Sequence, residues 1–501
     1  MIAQPVLHRL TPYGTLAFGT AAVTIRPDRR RGIARTMVGP VVDCPVMAVH
    51  TIDRARVRRE AGATVRLALP LIVAQLSAMA PNAIDAILAG HFSAHVQAAV
   101  VTGTSIWVLA LVLALGTMMS VSPTVSQLDG AQRRGEIGAI FHQALWIAWI
   151  LGAVLWFGSR NATPVMTAFG VVPSLHDDVQ AFLHAISWAA PALTTYFALR
   201  GLSEGLSLPL PSMYFSIGGL FVLAPLGYVL VYGKLGFPPL GARGTGIATA
   251  VAIWVEMIGF GIYVLTHRAY RDINLRQRLD WPRWSKIAPL LHIGVPMAIT
   301  LLMEAGMFVA VALLIGRLGE TVAASHQIAL NVASMSFMVP LGLSMAITVR
   351  VGNAVGRNDP AGVRYAGFCG IGLVVAVQLV AVALMLGVPH GIAAIYSNNP
   401  AVIAMAAHLL LFAGMFQFSD GIQVASNSSL RGLKDTRVPM AITLVAYWVI
   451  GMPIGWYLGF PMGLGAPGMW IGLIAGLTAA AALLFGRFYR VARRASWTSA
   501  T

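Results

Sequence analysis

Four carboxylates, Asp85, Glu256, Glu304 and Asp420, fall inside stretches apolar enough to cross a bilayer, and those stretches contain no Lys or Arg to neutralise them. An ionisable group at membrane depth is costly and usually faces a bundle interior or a wet cavity. The chemistry this suits is the reversible holding of a cation or a proton inside a membrane. Glu304 lies fifteen residues beyond Pro289 and Asp420 eleven before Arg431, about 22 Å and about 16 Å of helical rise. Both are expected near the midplane. Two carboxylates sharing a site repel one another, which suits groups that trade a proton for a cation in each cycle. Asp85 is expected in the outer part of its span, and Glu256 mid-span. His326, Gln327 and Asn331, in the run Ser325 to Asn331, are candidates for lining the same cavity, with an interhelical hydrogen bond as the competing role for His326.

The elements that must position these groups are membrane helices. The 501-residue chain is 57% hydrophobic and 10% charged, with a mean hydropathy of +0.75, whereas about a quarter of residues are charged in a soluble domain. A formal charge of +16 invites a nucleic-acid reading, but the bases occur as short clusters between apolar runs, not as a continuous face with interleaved aromatics. No nucleic-acid partner is expected. Cys44 and Cys369 are too different in setting for a disulfide framework or a thiolate metal site. Met303, Met307, Met335, Met338 and Met415 offer adaptable surface, although packing is the commoner use of Met in a bundle.

At about twenty apolar residues per crossing, twelve helices are expected near 67–90, 97–125, 140–158, 180–199, 213–233, 244–266, 289–316, 323–348, 365–388, 403–426, 438–459 and 467–486. One set of alternate loops, with the C-terminal arginines, holds 19 Lys and Arg, and the other holds only Arg160, Lys234, Arg243 and Arg317. The positive-inside rule then puts both termini in the cytoplasm. Residues 1–60 are Arg-rich without periodicity. They read as a disordered cytoplasmic tail, or as sequence ahead of a start near Met37 or Met47, with no signal peptide.

The two halves repeat. Pro70 to Gly90 aligns without gaps on Pro296 to Gly316, and at the same offset Gly116 meets Gly342, Gly130 meets Gly356 and Asp85 meets the apolar Val311. Later, Arg200-Gly201-Leu202 matches Arg431-Gly432-Leu433 and Pro225-Leu226-Gly227-Tyr228 matches Pro453-Ile454-Gly455-Trp456. The reading is an all-α membrane protein of twelve transmembrane helices, in two pseudo-symmetric six-helix bundles around a central cavity. Its parts are an N-terminal lobe over 61–266, a cytoplasmic linker over 267–288, a C-terminal lobe over 289–490 and a short tail over 491–501. Halves of one orientation, related by an axis along the membrane normal, can rock against each other.

Neither Gly352-Asn353-Ala354-Val355-Gly356 nor Arg431-Gly432-Leu433-Lys434-Asp435-Thr436 has phosphate-loop spacing, and no enzyme motif occurs at a useful place. An ion gradient is therefore the expected driving force, without a cofactor. A lipid-linked oligosaccharide flippase would want cations in its cavity. A membrane enzyme would want a clustered catalytic motif, and a channel would conduct passively.

The stretches Ile84 to Gly90, Gly103 to Trp107, Gly294 to Pro296, His326 to Asn331, Ser419 to Gln423 and Leu430 to Thr436 together resemble the multidrug and toxic compound extrusion (MATE) family, in particular its NorM-type bacterial antiporters. The resemblance runs from about Thr64 to the C-terminal arginines. It implies a monomeric inner-membrane pump, in contact with lipid, that exchanges organic cations such as drugs and dyes for H⁺ or Na⁺. It also implies that Asp85 matches a first-lobe carboxylate, and that Glu304 and Asp420 match a second-lobe cation-binding pair, the metal ligands if Na⁺ is the coupling ion. Three features depart from the family. Leu223 and Gly227 replace a pair of asparagines, Phe416 replaces a tyrosine one turn before the second-lobe aspartate, and Glu256 replaces an apolar residue. Phe416 remains a cavity-lining candidate, but without a phenol oxygen there the oxygen set for a hard cation is sparse. Protons are then at least as good a coupling ion as Na⁺. Glu256 is expected to restore polarity lost at Leu223 and Gly227.

Overall fold

In the computed structural model the described residues are 15–18, 21–25, 36–37 and 53–493, apart from 169, 276, 278 and 279. They belong to two units, Met1–Arg54 and Ala55–Thr501. In the first, β1 (Thr15–Phe18), β2 (Ala21–Ile25) and β3 (Thr36–Met37) form an antiparallel sheet, with Thr15 opposite Thr24 and Thr24 opposite Met37. Short strands thus occur where a structureless tail was expected. The rest of that expectation up to residue 52, and the tail beyond 493, lie outside the described residues.

The second unit is helical. Its first half comprises α1 (Arg54–Phe92), α2 (Ala94–Met118), α3 (Val121–Gly130), α4 (Ile137–Arg160), the short α5 (Thr163–Ala168), α6 (His176–Ser187), α7 (Ala190–Gly205), α8 (Leu210–Tyr232) and α9 (Gly241–Thr266). Its second half comprises α10 (Trp284–Gly316), α11 (Glu320–Gly356), α12 (Pro360–Gly387), the short α13 (Pro389–Tyr396), α14 (Pro400–Gly432), α15 (Arg437–Leu444), a π-helical turn over Val445–Gly451, α16 (Met452–Gly459) and α17 (Ala466–Val491). Among the described residues, 11 stretches are long and apolar enough to cross a membrane. The twelfth crossing is α6 followed by α7, broken because Pro191 has no N–H for the Ser187 carbonyl. Pro123 likewise separates α2 from α3, whereas its repeat mate Val349 leaves α11 unbroken.

Helices outlast the apolar runs that announce them. α1 begins at Arg54, α7 runs past Arg200 to Gly205, and α14 includes Arg431. Two arginines assigned to loops are therefore inside helices, and both are largely buried. This corrects the expectation of spans free of basic residues.

The lobes meet at the end where the basic loops lie, and they meet symmetrically. A Cβ on Gly116 would overlap Cα of Ala298, and one on its repeat mate Gly342 would fall 2.8 Å from Cα of Ile72, the repeat mate of Ala298. Gly130 approaches the Asn353 carbonyl while Gly356 approaches that of Gln127, again exchanging repeat mates. Such reciprocity is what a two-fold axis between the lobes requires. Around these contacts Gln127 Nε2 donates to the Gly432 carbonyl at 2.8 Å, and Asn353 Nδ2 donates to Ser207 Oγ at 3.1 Å. Ion pairs Arg56–Asp359 (2.8 Å) and Glu60–Arg350 (2.6 Å) tie the start of α1 to the second lobe. Leu67, Ala68 and Leu71 of α1 share a core with α11, α12 and α17 residues such as Leu343, Val363 and Phe488.

Candidate functional site

The four candidate carboxylates fall in two separate lobes, Asp85 and Glu256 in the first and Glu304 and Asp420 in the second. In the second lobe, Asp420 on α14 is 4% exposed and Glu304 on α10 is partly buried. The charge of Glu304 reaches Asp420. Among the described residues neither takes part in an ion pair, although the charge of Arg431, also on α14, reaches Glu304. Neither carboxylate is therefore locked to a fixed base.

The same lobe holds several buried polar atoms without partners. Tyr447 Oη, Trp470 Nε1, both ring nitrogens of His326 and Gln423 Oε1 are buried and have no hydrogen-bond partner among the described residues. Leaving one buried polar atom unpaired costs about 1–3 kcal/mol, and a fold is stable by only about 5–15 kcal/mol. The His326 ring stands edge-on to Trp470, with centroids 5.7 Å apart.

Sequence reasoning missed Tyr447 and Trp470, which have no signature beyond being aromatic residues in apolar helices. It also placed two residues too openly. His326 and Phe416, each 3% exposed, sit in the packed interior and do not line an open cavity. Phe416 lies between Phe308 and Trp470, 5.8 Å from each, so its apolar ring fills a slot that the neighbouring aromatics define. Gln327 and Asn331 do lie on the exposed side of α11. Asn331 Oδ1 accepts a hydrogen bond from Tyr396 of α13 at 3.2 Å.

In the first lobe Asp85 is 5% exposed. Its Oδ2 accepts from Thr249 Oγ1 of α9 at 3.0 Å, while Oδ1 is buried without a partner among the described residues. Thr249 was missed because a threonine inside a span ordinarily bonds its own helix, which this one also does through the Thr245 carbonyl. Leu223, with Ala248 and Ala252, forms an apolar patch nearby. Glu256 follows Thr249 by seven residues on α9, two turns or about 10.5 Å along the helix. Its carboxylate lies over Gly219 of α8, in space that a Cβ there would occupy. Glu256 therefore shares the α8–α9 seam with Asp85 but stands apart from Glu304 and Asp420.

Between the lobes, at the basic end, a cavity of about 40 Å³ is lined by Arg200, Glu204, Arg431, Ser122 and Thr348 with several Met side chains. Arg200 is paired with Glu204 at 2.6 Å and also donates to Gln75 Oε1. Glu204 is a buried acid that the sequence reading placed outside the spans; its i,i+4 spacing from Arg200 was the available signal. Among the described residues no cluster of three or more His, Cys, Asp or Glu could hold a metal ion. The second-lobe pair suits only a cation content with two carboxylates and neutral oxygens.

A family model, MatE, matches the chain twice, over residues 70–229 and 296–457, one match per lobe. The probable multidrug resistance protein NorM of Xanthomonas campestris pv. campestris is 48% identical over 440 residues, covering 88% of this chain and 96% of that protein. The multidrug resistance protein PmpM of Pseudomonas aeruginosa is 41% identical over 447 residues, 88% of this chain and 93% of that one. Among solved structures, the eukaryotic MATE transporter AtDTX14 superposes with a TM-score of 0.79 at 20% identity, covering 87% of this chain and 99% of that one. An outward-facing multidrug resistance MATE transporter gives 0.79 at 18% identity, covering 86% and 96%. With both lobes matched and the relatives covered nearly end to end, the chain belongs to the MatE family.

Proposed function

We propose that this transporter is a secondary active multidrug efflux antiporter of the bacterial inner membrane. It exports organic cations in exchange for H⁺ or Na⁺, acts as a monomer and keeps both termini in the cytoplasm. The observation that carries this is that Glu304 and Asp420 both lie inside the second lobe, with the charge of one reaching the other and neither ion-paired among the described residues. Buried charge persists when something mobile satisfies it. A coupling cation at that pair favours one arrangement of the lobes and a drug cation the other, since a ligand shifts an equilibrium only by its differential affinity. With the basic end in the cytoplasm, as this reading has it, the reciprocal contacts there close the molecule on that side.

The flippase reading finds two cations, Arg200 and Arg431, between the lobes. Arg200 is already neutralised by Glu204 at 2.6 Å, which leaves Arg431 as the one cation lining that cavity without an ion pair among the described residues. Dye export in a pump-deficient host tests the main reading. Glu304→Gln and Asp420→Asn should each reduce export at least tenfold with normal membrane insertion. Unchanged export in both would remove the coupling site. Inverted vesicles given a Na⁺ gradient alone or a pH gradient alone identify the ion.

A further inference from the structure

One phenol inside the second lobe carries a hydroxyl that packing does not account for. Tyr447 is 1% exposed, and its hydroxyl has no hydrogen-bond partner among the described residues. The ring belongs to the second-lobe core with Phe416 and Trp470. A phenylalanine would fill the same space without leaving a polar atom unpaired.

Three observations bring Tyr447 to the neighbourhood of the carboxylate pair. Charges on both Glu304 and Asp420 act on it. Its depth is right: Tyr447 is ten residues beyond Arg437, about 15 Å of rise, beside about 16 Å for Asp420 measured from the same basic end. Its neighbour Trp448 is fixed on α10 next to Glu304, donating Nε1–H to the Met303 carbonyl at 3.3 Å and packing 3.4 Å from where a Gly306 Cβ would lie.

The local backbone is unusual as well. Tyr447 sits in the π-helical turn Val445–Gly451, just ahead of Pro453, which has no N–H for the Val449 carbonyl. A π turn shifts the residues it carries around the helix relative to an α-helical run, and such turns concentrate at functional sites. Across the seam, α16 and α17 meet backbone to backbone at Gly455 and Gly472, so the turn is held from behind.

We propose that Tyr447 supplies the neutral oxygen of the coupling-cation site, so that a dehydrated Na⁺ is held by Glu304, Asp420 and the Tyr447 hydroxyl. This rests on reading the pair as the coupling site. Phenol oxygen is hard and uncharged. It adds a ligand without adding to the repulsion between the carboxylates, as a monovalent cation requires. Gln423 Oε1, also unpartnered among the described residues and three residues beyond Asp420 on α14, is on the side of the helix from which a fourth oxygen could come.

The test is the thermal stability of the purified full chain in nanodiscs, titrated with Na⁺ and, as a control, with K⁺, together with equilibrium binding of radiolabelled Na⁺. A ligand that binds the native state raises the melting temperature, and does so more the tighter it binds. Tyr447→Phe should melt at or above the parent temperature without Na⁺, because an unpaired hydroxyl has been removed, and should bind Na⁺ at least tenfold more weakly. A hydroxyl with a purely structural role would give the opposite pattern, lower stability without Na⁺ and an unchanged response to it, and that pattern would overturn the proposal. If Tyr447→Phe responds to Na⁺ like the parent while Glu304→Gln and Asp420→Asn do not respond, the role of Tyr447 is overturned and the carboxylate site stands. If the parent shows no response to Na⁺ while a pH gradient alone drives export through the same carboxylates, the Na⁺ ligand is overturned and the efflux reading stands.

Discussion

At the scale of single residues, buried acids in this protein differ by what satisfies them. Asp85 has one donor, Thr249, 3.0 Å away. Thr249→Val keeps the shape and removes the donor, which should cost about 1–3 kcal/mol and slow dye export, whereas Thr249→Ser should export at nearly the parental rate. Equal export by the two variants would show that the hydroxyl is not what holds Asp85. Glu256 instead depends on a missing side chain: a Cβ on Gly219 would overlap its Oε1. Gly219→Ala should therefore destabilise by about 1–3 kcal/mol through overpacking, and adding Glu256→Ala should recover most of the loss. A melting temperature that falls equally with and without Glu256 would mean that the strain lies elsewhere. Asp85, Glu304 and Asp420 were legible in the sequence because a charge inside an apolar run is conspicuous on its own. Thr249, Gly219 and Tyr447 were not, because each matters only through a partner on another helix.

Helices were legible as far as hydropathy reaches. Each expected crossing overlaps a helix or a broken helix pair among the described residues, but bilayer-length windows stop where the apolar run stops, and the helices carry on, taking Arg200, Glu204 and Arg431 inside. Breaks at Pro123 and Pro191 were not foreseen, since a proline in an apolar run is compatible with either a kink or a break. Pairing of helices was hidden as well. The end of the π turn and α16 present Gly451, Gly455 and Gly459 to Gly468, Gly472 and Gly476 of α17, and a Cβ on Gly472 would overlap Gly455 Cα. Small residues at this spacing let backbones touch, which is how membrane helices associate without a hydrophobic drive. Gly472→Val should force α16 off α17 and lower stability by about 1–3 kcal/mol. Since the π turn bearing Tyr447 leads directly into α16, the response to Na⁺ should fall with it. Gly316→Ala, with nothing within 4 Å, is the matched control, and parental melting of both variants would contradict the contact.

On the scale of the whole molecule, the repeat read from the sequence becomes a mechanism only when the lobes are seen to exchange equivalent contacts. Gly130 and Gly356 perform the same task on opposite sides of the axis: a Cβ would overlap the Asn353 carbonyl oxygen in one case and that of Gln127 in the other. A leucine at either position cannot fit while the lobes are closed at the basic end, and both end helices can separate as bodies, so the relief is opening. The ion pairs flanking the contact resist this weakly, because a partly exposed pair such as Arg56–Asp359 contributes about 0.2–1 kcal/mol. Gly130→Leu and Gly356→Leu should therefore each shift the population toward the arrangement open at that end. Ser126, buried against Gly352 in the closed contact, reports the shift when replaced by cysteine in a cysteine-free chain. Its labelling by a membrane-impermeant maleimide in inverted vesicles should rise about tenfold in both variants, a change of about 1.4 kcal/mol. Because the two glycines are related by the pseudo-axis, their effects should agree within about threefold, about 0.65 kcal/mol on the same scale. Labelling that stays at the parental level in both variants would show that this contact does not close the molecule, and a large response from one glycine alone would mean that the lobes do not rock about a shared axis.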